Sequence, residues 1–247
     1  MGRKSRERAA ALATRKRQAA EGITIREARP GEGETVRQLL LPVDPEHPDV
    51  FDPLSDMIDS GLVMPPDRGL CLNLVAENRD GKLVGALSAV SPFDWITGSD
   101  QLAQPFKPAL ARNIATIESL AVAPQARGMR LGFQLLKHAE AQLRESGCRL
   151  LIVDFEPSRS HLARYYTEAG FRLLAYGQPL HIGLLPGVIL PRPSHKDHRT
   201  SWKALTEEIT LEPALMTQGP DMPPVPVPGG VLVGVLAANH MATSSAT

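Results

Sequence analysis

Along Ile23-Thr24-Ile25-Arg26-Glu27-Ala28 apolar and polar side chains alternate until Pro30-Gly31 interrupts them, the pattern of a half-buried strand. From Gly33 to about Val43, and again from Asp52 to Val63, apolar residues recur at three- and four-residue spacing (Val36, Leu39, Leu40; Leu54, Met57, Ile58). That is the period of a helix with one buried face, and Pro42, Pro45 and Pro48 separate the two helices. Two β-rich runs follow, Leu70 to Glu77 and Leu83 to Val90, joined by Asn78-Arg79-Asp80-Gly81, whose composition favours a hairpin turn. Residues 91–112 carry Pro92, Gly98, Pro105 and Pro108 among the aromatics Phe93, Trp95 and Phe106, and read as a long loop of the kind that shapes a site.

The next pattern is the most informative. Ala115 to Val122 is a strand, Pro124 to Arg127 a turn, Gly128 to Ser146 an amphipathic helix stopped by Gly147, and Arg149 to Glu156 a second apolar strand. This β-α-β order predicts parallel strands joined by a right-handed crossover. A further helix, Ser160 to Ala169, ends at Gly170, and a strand runs from Phe171 toward Tyr176 with a continuation at Pro179 to Ile182. Beyond Gly183 the character changes: nine of the 22 prolines lie there, with a short amphipathic helix expected from Trp202 to Ile209 and an apolar run at Val231 to Ala238. The expected organisation is an arm at 1–22, an α/β domain with a mixed sheet at 23–183, and a Pro-rich extension at 184–247.

Charge adds one feature. Lys+Arg and Asp+Glu balance at 27 each, so the whole molecule lacks the basic field that draws proteins onto nucleic acid or anionic membrane. Within 1–22, however, seven Lys/Arg face only Glu7 and Glu21, and this arm is the one basic patch. A nucleic-acid role for the arm would show as salt-dependent binding lost on its deletion. Cys71 and Cys148 form neither a disulfide framework nor a metal-ligand spacing. No stretch reaches the ~18 continuous apolar residues of a membrane span, and no apolar leader precedes the arm, so a cytoplasmic location is the default expectation. A homodimer is compatible with all of this.

A strand that enters a Gly-containing turn and then a helix presents several backbone N–H groups at a positive helix end, a place suited to a pyrophosphate. Strand-turn-helix junctions with glycine are also common as plain structure. The chain has no Gly-x-x-x-x-Gly-Lys-Ser/Thr and no Gly-x-Gly-x-x-Gly after a strand, which removes two nucleotide-binding readings.

The string from Ile117 to Leu136, with Val122-Ala123-Pro124-Gln125-Ala126-Arg127-Gly128-Met129-Arg130-Leu131-Gly132 at its centre, resembles the acetyl-CoA-binding motif of the GCN5-related N-acetyltransferase (GNAT) superfamily. That motif reads Gln/Arg-x-x-Gly-x-Gly/Ala after a strand ending in Val-x-Pro. Gln125 and Gly128 match, while Arg130 stands where Gly or Ala is usual. A second segment, Tyr166-Thr167-Glu168-Ala169-Gly170-Phe171, fits the family's Tyr-x-x-x-Gly-Phe, and Arg159 replaces its Asn seven residues earlier. The resemblance covers about Ile23 to Gly183. It implies a central mixed sheet flanked by helices, with acetyl-CoA or another short acyl-CoA held where two parallel strands splay.

The resemblance also implies direct acyl transfer to an amine in a ternary complex. It assigns the backbone of Leu120 and Val122 to the pantetheine arm, with the Val122 N–H toward the thioester carbonyl. The turn, Gln125 and Arg127 to Gly132, then takes the pyrophosphate, mainly through the N–H groups of Arg127, Gly128, Arg130, Leu131 and Gly132. Tyr166 is the candidate general acid, since a phenol stays protonated at neutral pH, and its alternative is packing between helix and sheet. Glu118 shares a strand face with Leu120 and Val122 and is the candidate base, with loop support as the alternative and His161 and Glu156 as fallbacks. His195 and His198 lack a carboxylate frame, and no metal is expected. Phe93, Trp95 and Phe106 either line an acceptor pocket or anchor their loop. The departures at Arg130 and Arg159 motivate one alternative function, a non-catalytic acyl-CoA-binding or regulatory module. The acceptor is not spelled by any motif.

Overall fold

The computed structural model describes residues 22–61, 69–100, 102–156, 158–185, 188–194, 197–216 and 223–236. The basic arm (save Gly22), His195, and residues 217–222 and 237–247 of the Pro-rich extension lie outside the described residues. The chain divides into two compact units, one formed by residues 1–63, 71–89 and 119–141, the other by 64–70, 90–118 and 142–247.

In the first unit, β1 (Thr24–Glu27) pairs antiparallel with β2 (Cys71–Glu77). β2 turns into β3 (Leu83–Val90) through the expected hairpin. There the Asn78 side-chain oxygen accepts the N–H groups of Asp80 and Lys82, and Gly81 takes φ 75°. Helices α1 (Gly33–Leu40) and α2 (Asp52–Asp59) bring Val36, Leu40, Phe51 and Ile58 onto Val75, Leu83 and Ala86 of the sheet. Asp59, at the end of α2, accepts the N–H groups of Gly31 and Gly33 at 2.9 and 2.7 Å, so one helix caps the start of the other.

β4 (Ile114–Val122) runs through both units. From its end a short 3-10 turn (Pro124–Ala126) leads to α5 (Leu131–Glu145), numbered after the helices α3 (Phe93–Gly98) and α4 (Lys107–Asn113). Gly85 in β3 is where α5 comes closest: a Cβ there would meet Leu135 Cδ1 at 3.1 Å and the Ala121 carbonyl at 3.3 Å.

In the second unit β4 pairs parallel with β5 (Leu150–Phe155), as the β-α-β pattern predicted. After α6 (Ser160–Glu168) come β6 (Arg172–Leu173), β7 (Leu180–Leu185), β8 (Val188–Arg192) and β9 (Arg199–Ala204). β9 lies antiparallel between β5 and β6, giving a mixed sheet in the order β1-β2-β3-β4-β5-β9-β6. A smaller sheet has the order β10 (Thr210–Glu212), β13 (Val231–Val233), β7, β8, and a third pairs β11 (Leu215–Met216) with β12 (Val225–Pro226). The core of this unit joins Ile114, Leu150, Ile152 and Trp202 of the mixed sheet to Leu180, Ile182 and Leu190 of the smaller one and to Ile96 and Leu110 of the two short helices.

Three elements differ from the sequence reading. The helix expected from Trp202 is strand β9. Trp202, Leu205 and Ile209 imitate a helical period, but Thr200 and Trp202 alternate with Ser201 and Lys203, and all six residues of β9 pair with the open edge of β5. The loop expected at 91–112 holds α3 and α4, because Pro108 stands in the first turn of α4, where its missing N–H costs nothing. Phe93, Trp95 and Phe106 pack half-buried against the core, and Trp95 Nε1 donates to the Pro191 carbonyl at 3.2 Å, so they anchor this segment. The boundary expected at residue 183 falls inside β7, and β9 carries the mixed sheet beyond it.

Candidate functional site

In the first unit the predicted turn residues run from the end of β4 into the start of α5. The Ala123 N–H pairs with the Val84 carbonyl at 2.9 Å and Ala126 N–H returns to Ala123 O, which fixes the exit from β4. Gly128 has φ 79° and Arg130 φ 60°, two left-handed residues that hold off the helix until Leu131. Arg130 is the one non-glycine residue with positive φ among the described residues. Its carbonyl accepts the Gln134 N–H at 3.1 Å, the first bond of the helical ladder, and Leu131, Leu135 and Leu136 bury the inner face of α5. The N–H groups of the first helical turn have no earlier helical carbonyl to bond, and the helix dipole makes that end positive.

Gln125, Arg127, Gly128 and Arg130 are exposed, Met129 and Gly132 half-buried. Arg127 Nε donates to the Val122 carbonyl at 3.1 Å, and its backbone N–H points at Pro124 O at 3.3 Å, so of the expected N–H donors Arg127 is already partly used. An anion therefore finds its free donors from Gly128 onward. The surface suits a phosphate: glycine at a left-handed position, a helix start, and two exposed guanidinium groups.

In the second unit the register of three strands sets one face. Ile114, Thr116 and Glu118 of β4, Leu150, Ile152 and Asp154 of β5, and Ala204, Trp202 and Thr200 of β9 all point the same way. Along this face apolar residues give way, at the same level of each strand, to Glu118, Asp154 and Thr200. The β4–β5 ladder runs from Ile114↔Leu150 to Thr116↔Ile152, although β5 continues to Phe155. Glu118 and Asp154 therefore stand just past the point where the parallel strands cease to pair.

Glu118 is exposed, yet burial is the largest influence on its carboxyl and raises its pKa; Arg192 opposes the rise, and Asp154 and Asp94 add to it. The combination describes a carboxylate that water reaches from one side and protein crowds from the others. Such a group holds its proton more readily than an ordinary Glu.

Tyr166 belongs to the other face. It is 5% exposed and stacks on Phe155 with ring centroids 5.6 Å apart, while Phe171 and Tyr165 meet it edge-on at 5.4 and 5.1 Å. Phe155 follows Asp154 in β5, so Tyr166 and Glu118 are associated with opposite faces of the same strand end. Burial pushes the Tyr166 phenol well above its ordinary range.

The fallback bases are exposed at element ends, with Glu156 accepting the Ser158 hydroxyl at 3.0 Å and His161 at the start of α6. Arg159 is the N-cap of α6 and offers it no side-chain cap. Among the described residues no group of three or more His, Cys, Asp or Glu side chains could hold a metal ion, and no helix is long and apolar enough to cross a membrane. Sequence reading missed Asp154 and Arg192. The signal was a lone charge in the otherwise apolar run Leu150-Leu151-Ile152-Val153-Asp154-Phe155.

The model of the acetyltransferase (GNAT) family matches residues 35–171. Among solved structures, an acetyltransferase of the GNAT family from Staphylococcus aureus Mu50 is 15% identical with a TM-score of 0.50, over 74% of this chain and 99% of that one. The candidate acetyltransferase yncA from Salmonella typhimurium, solved with acetyl-CoA, is 17% identical with a TM-score of 0.50, over 77% and 98%. At these identities the two structures speak for the fold alone. No curated protein matches the chain.

Proposed function

The chain belongs to the acetyltransferase (GNAT) family, and on that premise we propose that it is an N-acetyltransferase that moves an acetyl group, or another short acyl group, from acetyl-CoA to an amine. The observation that carries the reading is the turn after β4: left-handed Gly128 and Arg130 lead straight into the start of α5, which leaves N–H donors and positive charge where a pyrophosphate would lie.

In this reading the backbone of Leu120 and Val122 holds the pantetheine arm, and Gly128 to Gly132 take the pyrophosphate. Glu118 removes the proton from the attacking amine. The Val122 N–H steadies the thioester carbonyl as the amine nitrogen bonds to its carbon and the carbon–sulfur bond breaks. The departing sulfur then needs a proton or a strong hydrogen bond. Tyr166 supplies it from a phenol that burial keeps protonated across the working pH range.

The test is release of free CoA thiol from acetyl-CoA in the presence of a panel of amines: aliphatic amines, diamines, amino acids and peptide N-termini. Turnover with any class that falls at least ~100-fold in Glu118→Gln supports the reading. Binding of acetyl-CoA with no turnover on any amine would favour a non-catalytic binding module.

A further inference from the structure

The second unit contains an ion pair for which the acyl-transfer chemistry has no direct use. Arg192, at the end of β8, donates from Nη2 to Asp154 Oδ2 at 2.6 Å with its side chain 11% exposed. The other oxygen of Asp154 accepts the Thr200 hydroxyl at 2.5 Å, and that hydroxyl lies 3.0 Å from the hydroxyl of Ser194. Both carboxylate oxygens are thus committed: one holds the Arg192 guanidinium through Nη2, and the other is anchored by Thr200. Its Nε is buried and has no hydrogen-bond partner among the described residues.

Asp154 and Thr200 share the sheet face of Glu118, at the level where the apolar core ends. The Thr116 hydroxyl, two residues before Glu118 on that face, is buried (the residue is 4% exposed) and likewise has no partner among the described residues. Two buried donors without a partner among the described residues are costly unless a polar group uses them. The charged groups that act on Glu118 come from three elements: Arg192 of β8, Asp154 of β5 and Asp94 of α3. His181 of β7 is turned away, since its neighbours Leu180 and Ile182 are the residues that enter the core.

We propose that Arg192 is a positioning residue for Glu118: held by Asp154, which Thr200 anchors in turn, it keeps a fixed positive charge near that carboxylate and so sets the pH above which Glu118 can take the acceptor's proton. The inference rests on the reading of Glu118 as the base. Without the clamp a long arginine side chain at a strand end would sample many rotamers, and its influence on Glu118 would be averaged by water. With it, the charge is constant while substrates come and go.

The signs follow from the charges. Arg192→Gln removes the one cation among the described residues that acts on Glu118 while the charge of Asp154 stays, and Glu118 holds its proton more tightly. Arg192→Lys retains the charge. Arg192→Gln combined with Asp154→Asn deletes a neutral pair and leaves the local balance nearly as it was.

The experiment has two readouts in the full-length protein. One is the pH dependence of kcat/KM with acetyl-CoA and the best amine of the panel. The other is direct NMR titration of the Glu118 carboxylate in 13C-glutamate-labelled protein, with Glu118→Gln identifying its resonance. We expect Arg192→Gln to move the acid limb and the NMR midpoint upward together by about one pH unit, Arg192→Lys to restore most of the shift, and the double variant to return toward the parent. An NMR midpoint that stays in place in Arg192→Gln, or a shift that Arg192→Lys fails to reverse, overturns the proposal. If the NMR midpoint moves and the acid limb of kcat/KM does not, the charge link stands and Glu118 is not the base.

Discussion

The guanidinium of Arg130 lies 5.2 Å above the centre of the Phe133 ring, one helical turn along from a residue held at φ 60°. The turn thus tolerates an arginine at a left-handed position by giving its side chain a ring to rest on. A left-handed backbone costs an L-residue about 1–2 kcal/mol, a cation over a ring returns roughly 0.5–1 kcal/mol at an exposed site, and a cation at a helix start is unfavourable. Arg130→Gly should therefore leave urea stability equal to the parent or up to about 1 kcal/mol higher, while the β-branched Arg130→Val should lower it by about 1–2 kcal/mol. Equal losses in both variants would show that the ring contact, and not the backbone, decides the energetics of the turn.

Tyr166 has a structural part and a proposed chemical one, and two substitutions separate them. Tyr166→Phe keeps the stack between Phe155 and Phe171 and removes only the hydroxyl, so stability should change by less than about 1.5 kcal/mol. Turnover, measured by thiol release, should fall by about 100-fold. Tyr166→Ala empties the space between those rings and should cost about 3–5 kcal/mol. Full activity in Tyr166→Phe would leave packing as the residue's whole role.

Alkaline pH should weaken the fold through a buried thiol. Cys148 donates to the carbonyls of Leu150 and Asn113, at 3.4 and 3.6 Å, and burial pushes its pKa up from 9.0 to about 12. Because the folded value lies above the unfolded one, the unfolded chain holds fewer protons between pH 9 and about 12, and stability must fall as pH rises through that window. The slope is at most ~1.4 kcal/mol per pH unit from this group, and Tyr166, raised in the same direction, adds to it at the upper end. Urea midpoints at pH 8.5 and 10.5 should separate by more in the parent than in Cys148→Ala. An equal separation would assign the alkaline weakening to other groups.

What the sequence disclosed depended on how local each signal was. The turn from Pro124 to Gly132 and the parallel pair β4–β5 were legible because a strand, its turn and its crossover helix carry their own periods and glycines within some forty residues. The helix that carries Tyr166, and its stop at Gly170, were legible through the spacing of Tyr166, Gly170 and Phe171. β9 was not, since its partner β5 lies about fifty residues earlier and the spacing of Trp202, Leu205 and Ile209 favoured the wrong period. The clamp was hidden for the same reason: Arg192 of β8, in the smaller sheet, and Asp154 of β5, in the mixed sheet, are 38 residues apart in the chain. Prolines misled at α4, where Pro108 marks a helix start instead of a loop.

The most direct test of the central claim is calorimetric titration of the parent protein and of Gly128→Glu with acetyl-CoA and with CoA. Gly128 stands at φ 79° in the turn, where a side chain strains the backbone and a carboxylate repels an anion. The account predicts saturable binding of both ligands by the parent and loss of both in Gly128→Glu, with its thermal unfolding still cooperative. No binding of either ligand to the parent, or unchanged binding in Gly128→Glu, would contradict it.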